Sequence, residues 1–448
     1  MKKIHTQVCV IGAGAGGIGC VYRLIKNKIS TIVIDKNSDY GGTMTFGGID
    51  GWEPGVSLDG IHLLIKEELE KIPKGAHAVE RVPSRAVIDP DGIYDTVIDC
   101  FSKRPWGYNA PMGKNYEDTL SRKKGIRYQF EGDCLIQAVR NIFTPYAEFL
   151  TELFGFRYFS CEKNDDRIVS VTVTDGKDEI VIYADVFVDA SGDIVLARDA
   201  GCAWTFGTES ADAYSEPSAG EESNTVNGVT YAFRVAKTED PNHIDAVPPE
   251  QEAVNLGQWK EREMRSRVSL CVRYPNGDLH FNMLPTMQGA EYFALGEQAD
   301  SIGQARVYAY WNYLQIEKGL CGYTLKRIYD AGIRESYRLK GKYILKEQDI
   351  RSGFLRQPKI GRTVAIADHA MDIHGKNGMC NEVESPYEIP LECAMTNEFC
   401  NLFVSCRGAS FTHIAASSVR LSRTMLSMGE GIGEYISELI LAKMCLKN

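Results

Sequence analysis

QVCVIGAGAGGIGCVYRLIKNKISTIVID (residues 7–35) joins two apolar runs through a glycine cluster and a helix-like segment. The first run, residues 7–11, is continuously apolar and rich in β-branched side chains, which is typical of a buried strand in a parallel sheet. We predict a helix from Gly16 to Asn27 and a second strand from Ser30 to Asp35. This order of elements predicts the βαβ unit of a Rossmann-like α/β fold.

The glycines follow the GxGxxG spacing of dinucleotide-binding loops. Gly12 permits the tight turn, Gly14 lets the backbone approach a pyrophosphate, and Gly17 lets the helix lie close to the strand. The N–H groups at the helix start then face the phosphates. Asp35 ends the second strand, where a carboxylate accepts hydrogen bonds from the ribose hydroxyls. The other residues predicted to contact the dinucleotide here are Ala13, Ala15, Gly16 and Lys36.

The composition restricts the function classes. The chain has 448 residues, 44% of them hydrophobic, which is enough for a packed core and two substructures. A net charge of −10 argues against nucleic acid or an anionic membrane surface as the main partner. The 13 cysteines show no CxxC metal pattern, and no apolar run approaches the roughly 20 residues of a membrane span. We expect a cytoplasmic protein without a metal site.

Two further segments bear on whether the cofactor is NAD or FAD. A second glycine cluster at residues 41–43 stands where a nicotinamide-dependent dehydrogenase would continue into another βα unit. Residues 167–193 predict a hairpin that turns at residues 175–176, followed by a buried strand and a turn of small residues. Both features favour an extended flavin cofactor. The residues predicted to contact FAD in these segments are Gly41, Gly42, Thr43, Ala190, Ser191, Gly192 and Asp193.

The third signal lies near the carboxyl terminus. A strand at residues 402–405 is followed by a polar loop, and Gly429, Gly431 and Gly433 precede an amphipathic helix. A glycine-rich helix start would bring the positive end of a helix dipole to the flavin edge where charge develops on reduction. We therefore predict that Gly431 and Ile432 contact FAD.

At this point the sequence resembles the FAD-dependent oxidoreductase family within the glutathione-reductase-like flavoproteins. It is similar, more distantly, to fumarate reductase and thiazole-synthase-type flavoproteins. The resemblance implies bound FAD and a redox reaction. The segments that carry it are VCVIGAGAGGIG, GGTMTFGG, FVDASGDIVLARDAGC, RESYRLKGKYILKEQDI, YEIPLECAM and NLFVSCRGASFTHIAASSVRLSRTMLSMGEGIG, in the family's order.

The chain departs from the family pattern at three places. Ser191 stands where relatives usually have Thr, and Cys406 precedes Arg407 where relatives have Gly. Ala416 replaces a second histidine that often follows the one matching His413, which argues against a mechanism that needs a histidine pair. Because residues 41–48 contain no histidine, we expect FAD to be bound non-covalently.

We predict a discontinuous FAD-binding domain of residues 1–205 and 371–448 and an inserted α+β substrate domain of residues 206–370. The FAD domain should have three layers and combine a parallel sheet with an antiparallel hairpin. Residues 96–130 are basic and are predicted to be an insertion or cover. Residues 208–228 are small and polar, which predicts a mobile loop or lid.

Flavin-dependent hydride transfer usually needs a base for the accompanying proton. His413, after the final FAD strand, is the first candidate, and its alternative is a helix-capping residue or a histidine satisfied in the core. His374 is the second candidate, and its alternative is a turn residue beside Gly375. Arg334 and Arg338 are predicted to share a helix face and to clamp a carboxylate, orient a polyol or tie the two domains together. Arg407 is expected to stabilise reduced flavin or a substrate anion.

These features predict an FAD-dependent oxidoreductase that transfers a hydride between flavin N5 and a small polar organic substrate, such as a sugar, polyol or hydroxy acid. Two alternatives stay open. One is a flavin monooxygenase that uses NAD(P)H and O2, and the other is a flavin-binding protein without turnover of its own. The sequence indicates neither the electron acceptor or donor nor the oligomeric state.

Overall fold

The computed structural model describes most of the chain. No helix in its described part combines the length and the apolar character that a bilayer crossing requires. Most of the predicted cover at residues 96–130 lies outside the described residues, so its role stays a prediction. The described residues are 2–53, 55, 60–80, 97–98, 126–247, 269–283, 285–375 and 378–447.

The described part of the chain contains both strands and helices. The strands are β1 (Lys2–Ile11), β2 (Thr31–Asp35), β3 (Gly51–Trp52), β4 (Ala76–Glu80), β5 (Val97–Ile98), β6 (Ile126–Phe130), β7 (Leu150–Phe154), β8 (Arg157–Asn164), β9 (Arg167–Thr174), β10 (Glu179–Asp189), β11 (Trp204–Thr205), β12 (Phe233–Lys237), β13 (Ser269–Arg273), β14 (Leu279–Met283), β15 (Tyr323–Ile328), β16 (Arg338–Leu339), β17 (Thr363–Ala367), β18 (Met371–Ile373), β19 (Met379–Asn381), β20 (Tyr387–Pro390) and β21 (Leu402–Val404). The helices are α1 (Ala15–Lys26), α2 (Gly60–Lys71), α3 (Gly132–Phe143), α4 (Val195–Ala200), α5 (Ala211–Tyr214), α6 (Gly289–Leu295), α7 (Ala299–Glu317), α8 (Glu347–Arg356), α9 (His413–Val419) and α10 (Ser422–Lys447).

The main sheet combines parallel and antiparallel pairing through the long strand β10. On one side β10 pairs in parallel with β1, which continues in parallel to β2 and β7. On its other side the first half of β10 pairs antiparallel with β9, and its last three residues pair in parallel with β21. Strand β8 extends the antiparallel part beside β9. This arrangement confirms the predicted Rossmann-like sheet with an added antiparallel hairpin.

The predicted hairpin turn joins β9 to β10. Gly176 adopts a φ of 92°, a left-handed conformation that favours glycine. The Oδ1 atom of Asp175 accepts hydrogen bonds from the backbone N–H groups of Lys177 at 2.8 Å and Asp178 at 2.7 Å. The side chain and the glycine together fix the turn, as the Asp-Gly pair predicted.

The buried apolar side chains form two clusters. The first covers the main sheet. The second lies between the antiparallel sheet β13-β14-β12-β15 and helix α7, with Phe233 stacked on Phe281 at 4.7 Å between ring centroids. Leu339, Leu345 and Val364 belong to the first cluster, so the apolar packing changes earlier in the chain than the predicted boundary at residue 370. The division into two domains stays a prediction.

The segment 208–228 is anchored rather than free, in contrast to the mobile lid that its composition predicts. Thr208 and Ser223 exchange backbone hydrogen bonds of 2.8 and 3.1 Å. The Oε1 atom of buried Glu216 accepts hydrogen bonds from Thr412 Oγ1 at 2.6 Å and from the backbone N–H of Glu347 at 2.7 Å. Within the segment, Ser218 donates hydrogen bonds from its N–H and its Oγ to the buried carboxylate of Glu347. A small polar residue of the segment therefore satisfies a buried carboxylate.

The glycines near the carboxyl terminus have a different role from the one predicted. Helix α10 begins at Ser422, so Gly429, Gly431 and Gly433 lie inside it and the predicted helix start at these glycines is wrong. A Cβ at Gly429 would lie 2.0 Å from the carbonyl oxygen of Gly16 on α1, and a Cβ at Gly431 would lie 2.4 Å from that of Val364. The glycines therefore permit close packing of backbones.

The contact between α1 and α10 is close from both sides. A Cβ at Gly19 on α1 would lie 2.0 Å from the carbonyl oxygen of Leu426, and one at Gly433 would lie 2.7 Å from that of Cys20. Ile432, between Gly431 and Gly433, is fully buried in the first cluster. The last helix is thereby fixed on the back of the glycine loop, against the helix that follows it.

The substitution Gly19→Ala is expected to lower the free energy of unfolding by about 1–3 kcal/mol, because the added methyl group forces the two helix backbones apart. The better helix propensity of Ala opposes this by about 1 kcal/mol. Denaturant unfolding measures the difference. Gly220→Ala is the matched control, because no heavy atom lies within 4 Å of the added group; equal stability of the two variants would contradict the packing role.

Candidate active site

A cavity of about 640 Å³ opens at the carboxyl ends of β1, β2 and β10 and extends to the segment that follows β17. In open α/β sheets this edge is where ligands bind. Ala13, Gly17, Gly41, Gly431 and Ile432 were predicted cofactor residues but are not part of the wall. The predicted cofactor residues that do line the cavity are Gly12, Gly14, Ala15, Gly16, Asp35, Lys36, Gly42, Thr43, Ala190, Ser191, Gly192, Asp193 and Arg407.

Two glycines of the motif are needed for packing of the loop itself. Gly12 has a φ of 108°, and a Cβ there would lie 2.3 Å from the carbonyl oxygen of Ala190. A Cβ at Gly17 would lie 1.9 Å from the carbonyl oxygen of Gly12. The backbone N–H of Ala13 donates to Asp35 Oδ2 at 2.7 Å, and its carbonyl oxygen accepts from Gly41 at 2.9 Å. These contacts hold the loop against its neighbours.

Gly14 differs from the other motif glycines because a Cβ there would meet no heavy atom within 4 Å. It is the N-cap of α1, where no side chain caps the helix and the first turn contains no acidic residue. Uncapped N–H groups and the positive end of the helix dipole favour an anion. The open space and the uncapped helix start fit the pyrophosphate of a dinucleotide cofactor.

Two aspartates shape the cavity edge. Asp35 accepts a hydrogen bond from the backbone N–H of Asn37 at 2.8 Å; burial raises its pKa, and this bond and the one from Ala13 oppose the rise. Asp189 is fully buried and was missed by the sequence analysis. It accepts hydrogen bonds from Ser191 Oγ at 2.6 Å and from the backbone N–H of Ala197 at 3.0 Å, so it fixes the turn of small residues after β10.

His374 lies in the wall of the same cavity, at the end of β18. Its Nε2 atom is 2.8 Å from Asp372 Oδ2. Burial lowers the pKa of His374 to about 4, and the charges of Arg334 and Arg420 act in the same direction, with Asp372 opposing them. Burial alone would raise the pKa of Asp372, but the hydrogen bond with His374 and the charge of Arg420 lower it to about 2. At neutral pH the pair is therefore a neutral imidazole beside a carboxylate.

The sequence analysis identified His374 but did not identify its partner. Residues two apart in an extended segment point to the same side, so the DIH sequence is the signal that indicates Asp372. Arg420 Nη2 donates to the carbonyl oxygen and to Oδ2 of Asp372, both at 3.2 Å, which joins α9 to this pair. His369, also in the wall, lies 3.3 Å from Glu53 Oε2 through its Nε2.

The structure does not bring His413 or Arg338 to the cavity wall. His413 is 4% exposed, and its Nδ1 lies 2.8 Å from Glu335 Oε2. Arg338 is fully buried, pairs with Glu335 and donates to Glu209 Oε1 at 2.5 Å. Burial would raise the pKa of Glu335, but the charges of His413 and Arg338 lower it. This geometry describes a buried network that ties segments together, which was the structural alternative for both residues.

Arg334 and Arg338 do not share a helix face, because residues 334–337 are not helical and Arg338 begins β16. The two side chains consequently have different environments. Arg334 lines the cavity, where its Nη1 donates to the carbonyl oxygen of Gly228 at 2.8 Å and to Thr230 Oγ1 at 2.7 Å. Arg407 also lines the cavity and donates to Asp193 Oδ1 at 2.8 Å.

The sequence of the chain matches the family model of FAD-dependent oxidoreductases over residues 7–446, and the chain therefore belongs to this family. FAD is its cofactor, and the protein is an enzyme with FAD-dependent redox activity. No curated protein matches the sequence significantly.

Among solved structures, several are similar to this chain at very low sequence identity. The geranylgeranyl bacteriochlorophyll reductase-like protein of Thermoplasma acidophilum is 10% identical, with a TM-score of 0.46 over 98% of this chain and 80% of that one. The p-nitrophenol 4-monooxygenase of Pseudomonas putida is 10% identical, with a TM-score of 0.43 over 100% of this chain and 82% of that one. The L-proline dehydrogenase of P. horikoshii is 11% identical, with a TM-score of 0.40 over 99% of this chain and 95% of that one.

Two glycine variants separate the cofactor role from the packing role. Gly14→Val is expected to change the free energy of unfolding by less than about 1 kcal/mol, because its backbone is extended and the added side chain points into open space. It should weaken FAD binding by about 10-fold or more, since that space is where the pyrophosphate approaches.

Gly12→Ala is the matched comparison and should instead destabilise the fold by about 2 kcal/mol or more, because of its left-handed φ and its contact with Ala190. Thermal unfolding of the apoprotein and FAD titration measure the two effects. Normal FAD affinity in Gly14→Val would contradict the assignment of the cradle.

Proposed function

We propose that this enzyme transfers a hydride between FAD and a small polar organic substrate, with His374 accepting or donating the accompanying proton. The observation that carries the proposal is a neutral histidine, held by an ionised Asp372, in the cavity that also contains the dinucleotide loop. When bound, FAD supplies the hydride acceptor or donor. The residues of the chain bind the substrate, orient it and move the proton.

The pairing with Asp372 defines which nitrogen of His374 is the base. Because Asp372 is ionised, Nε2 carries the hydrogen and donates it to the carboxylate. Nδ1 is then the acceptor, and it has no hydrogen bond to another described residue. Nδ1 takes the proton from the substrate O–H or N–H as the neighbouring C–H bond breaks, and Asp372 stabilises the imidazolium that forms. In the reverse direction His374 returns the proton.

Asn227 fixes this pair from the substrate-domain side. Its Oδ1 accepts a hydrogen bond from the backbone N–H of His374 at 2.9 Å, and its Nδ2 donates to the carbonyl oxygen of Asp372 at 2.9 Å. Asn227 is itself fully buried, and its backbone N–H donates to Glu335 Oε2 at 2.8 Å. The network around His413 and Arg338 therefore positions the base indirectly, through Glu335 and Asn227.

The proposed reaction is tested by an anaerobic screen of sugars, polyols, hydroxy acids, amines and enoates against the FAD-loaded enzyme. Bleaching of the visible flavin absorbance by one of these compounds, or reoxidation of reduced flavin by an enoate, supports hydride transfer. Bleaching by NAD(P)H alone, with an oxygenated product in air, would support the monooxygenase alternative. Absence of any reduction would favour the flavin-binding protein without turnover.

His374→Gln is expected to slow flavin reduction by the identified substrate by about 100- to 10,000-fold, the usual contribution of a general base. FAD content should stay unchanged. His243→Gln is the matched control, because His243 forms a similar pair, with Nε2 2.8 Å from Asp245 Oδ1, but does not line the cavity. Stopped-flow absorbance measures both rates, and equal slowing in both variants would contradict the role of His374.

The rate constant kcat/KM should rise with pH through about 4 and then stay level, because protonated His374 cannot accept a proton. Asp372→Asn removes the anion that raises the pKa of His374, so the acidic limb should move to lower pH. The rate on the plateau should fall about 10- to 100-fold, since the imidazole loses its orienting partner. The pH profiles of kcat/KM for the unmodified protein and for Asp372→Asn test this prediction. An acidic limb at the same pH in both proteins would show that a group other than His374 titrates.

A further inference from the structure

We infer that the substrate carries a carboxylate and that the guanidinium of Arg334 binds it, beside the base His374. The inference rests on the proposed function only in placing the substrate in this cavity. It narrows the substrate from a sugar, polyol or hydroxy acid to an acid with an oxidisable group close to the carboxylate.

Arg334 differs in its partners from three other arginines of the cavity wall. Arg407 pairs with Asp193 at 2.8 Å, Arg420 with Asp372 at 3.2 Å, and Arg423 with Asp368 at 2.5 Å. These three charges are thus neutralised by carboxylates of the chain itself. They are poor sites for a further anion, because the substrate would have to displace an existing partner. The other cations of the wall are Lys36 and Arg157, which lie at the end of β2 near Asp35 and Asn37, and Arg334, which lies near His374.

Arg334 is half-buried, and no carboxylate of the described residues lies within 4.0 Å of its guanidinium. Its hydrogen bonds go to two neutral acceptors, the carbonyl oxygen of Gly228 and Thr230 Oγ1, and both come from Nη1. The other guanidinium nitrogens keep their donors for a ligand in the cavity. A guanidinium that faces a cavity without a counter-ion is chemically suited to a carboxylate.

The local charge also favours an anion. Burial lowers the pKa of Arg334 to about 9, and the positive charge of Arg420 lowers it further. Asp372 opposes these effects, but its charge is already paired with Arg420. The contribution of Arg420 shows that a second positive charge lies near Arg334. A bound carboxylate would offset the repulsion between the two guanidinium groups, and charge-assisted hydrogen bonds would offset its own desolvation.

The position of Arg334 links the carboxylate to the reacting atoms. The segment 227–230 holds Arg334 through Gly228 and Thr230, and the same segment holds His374 and Asp372 through Asn227. Arg334 and the base are therefore fixed in one framework. A 2-hydroxy acid, whose hydroxyl lies on the carbon next to the carboxylate, is the class of substrate that suits an anchor and a base held by the same short segment.

The experiment measures binding without turnover. The FAD-loaded enzyme is titrated with redox-inert acetate, oxalate and malonate and with their amides, by calorimetry and by the change in flavin absorbance. At least one carboxylate is expected to bind about 10- to 100-fold more tightly than its amide, since the amide keeps the shape and loses the charge. Equal affinity of acids and amides would overturn the inference.

Variants give the second arm. Arg334→Met should weaken carboxylate binding about 10- to 100-fold, and Arg334→Lys should weaken it less. Arg356→Met is the control, because Arg356 is an exposed arginine outside the cavity, and it should bind as the unmodified protein does. Unchanged carboxylate affinity in Arg334→Met would overturn the inference, and so would a shifted flavin potential with unchanged affinity, because Arg334 would then face the flavin.

Two features keep the test decisive. If Arg334→Met does not fold or does not retain FAD, the comparison of acids with amides in the unmodified protein and in Arg334→Lys still supports or overturns the inference. Failure of the proposed function would be seen in a different experiment, as a rate of flavin reduction that is the same in His374→Gln and in the unmodified protein. Because binding of inert carboxylates needs no hydride transfer, the two failures are distinguishable.

Discussion

The close contact between the loop after β1 and the turn after β10 determines the geometry of the site. The backbone N–H of Gly12 donates to the carbonyl oxygen of Ile34, and that of Ala190 donates to the carbonyl oxygen of Ile11, both at 2.7 Å. No Cβ fits at residue 12, because the carbonyl oxygen of Ala190 would lie 2.3 Å away. The two loops can approach only with glycine at this position. The approach brings the carboxyl ends of three parallel strands to one edge and leaves Gly14 facing open space.

The residues of the proposed chemistry lie at the other end of the same cavity, on segments far apart in the chain. The segment at the end of β18, the segment before β16 and the residue after α9 contribute His374, Arg334 and Arg420. Asn227 and Glu335 connect these segments through buried hydrogen bonds. The buried ions of this network are costly to desolvate, but each is paired, so the network specifies one arrangement of the base. The charge of Arg334, which has no carboxylate partner among the described residues, is left for the ligand.

Local features of the fold could be predicted from the sequence. The strand, glycine loop, helix and second strand at residues 7–35 and the Asp-Gly hairpin at residues 175–176 depend on neighbouring residues, and the structure contains them. Roles that depend on distant segments could not be predicted. The glycines at 429–433 predicted a helix start, but they are explained by the backbones of α1 and β17 that pack on them. His413 was preferred over His374 because it follows the final strand of the predicted FAD domain. The sequence does not show that His413 is paired with Glu335 or that His374 is oriented by Asp372.

A crystal structure of the FAD complex tests the central claim most directly, which is that one cavity holds the cofactor and places its ring beside His374. The account predicts the pyrophosphate at Gly14, at the start of α1. It also predicts the isoalloxazine ring next to residues 368–374, with room for a small molecule between the ring, His374 and Arg334. A ring that lies away from His374, with His413 turned towards it in place of its bond to Glu335, would contradict the account.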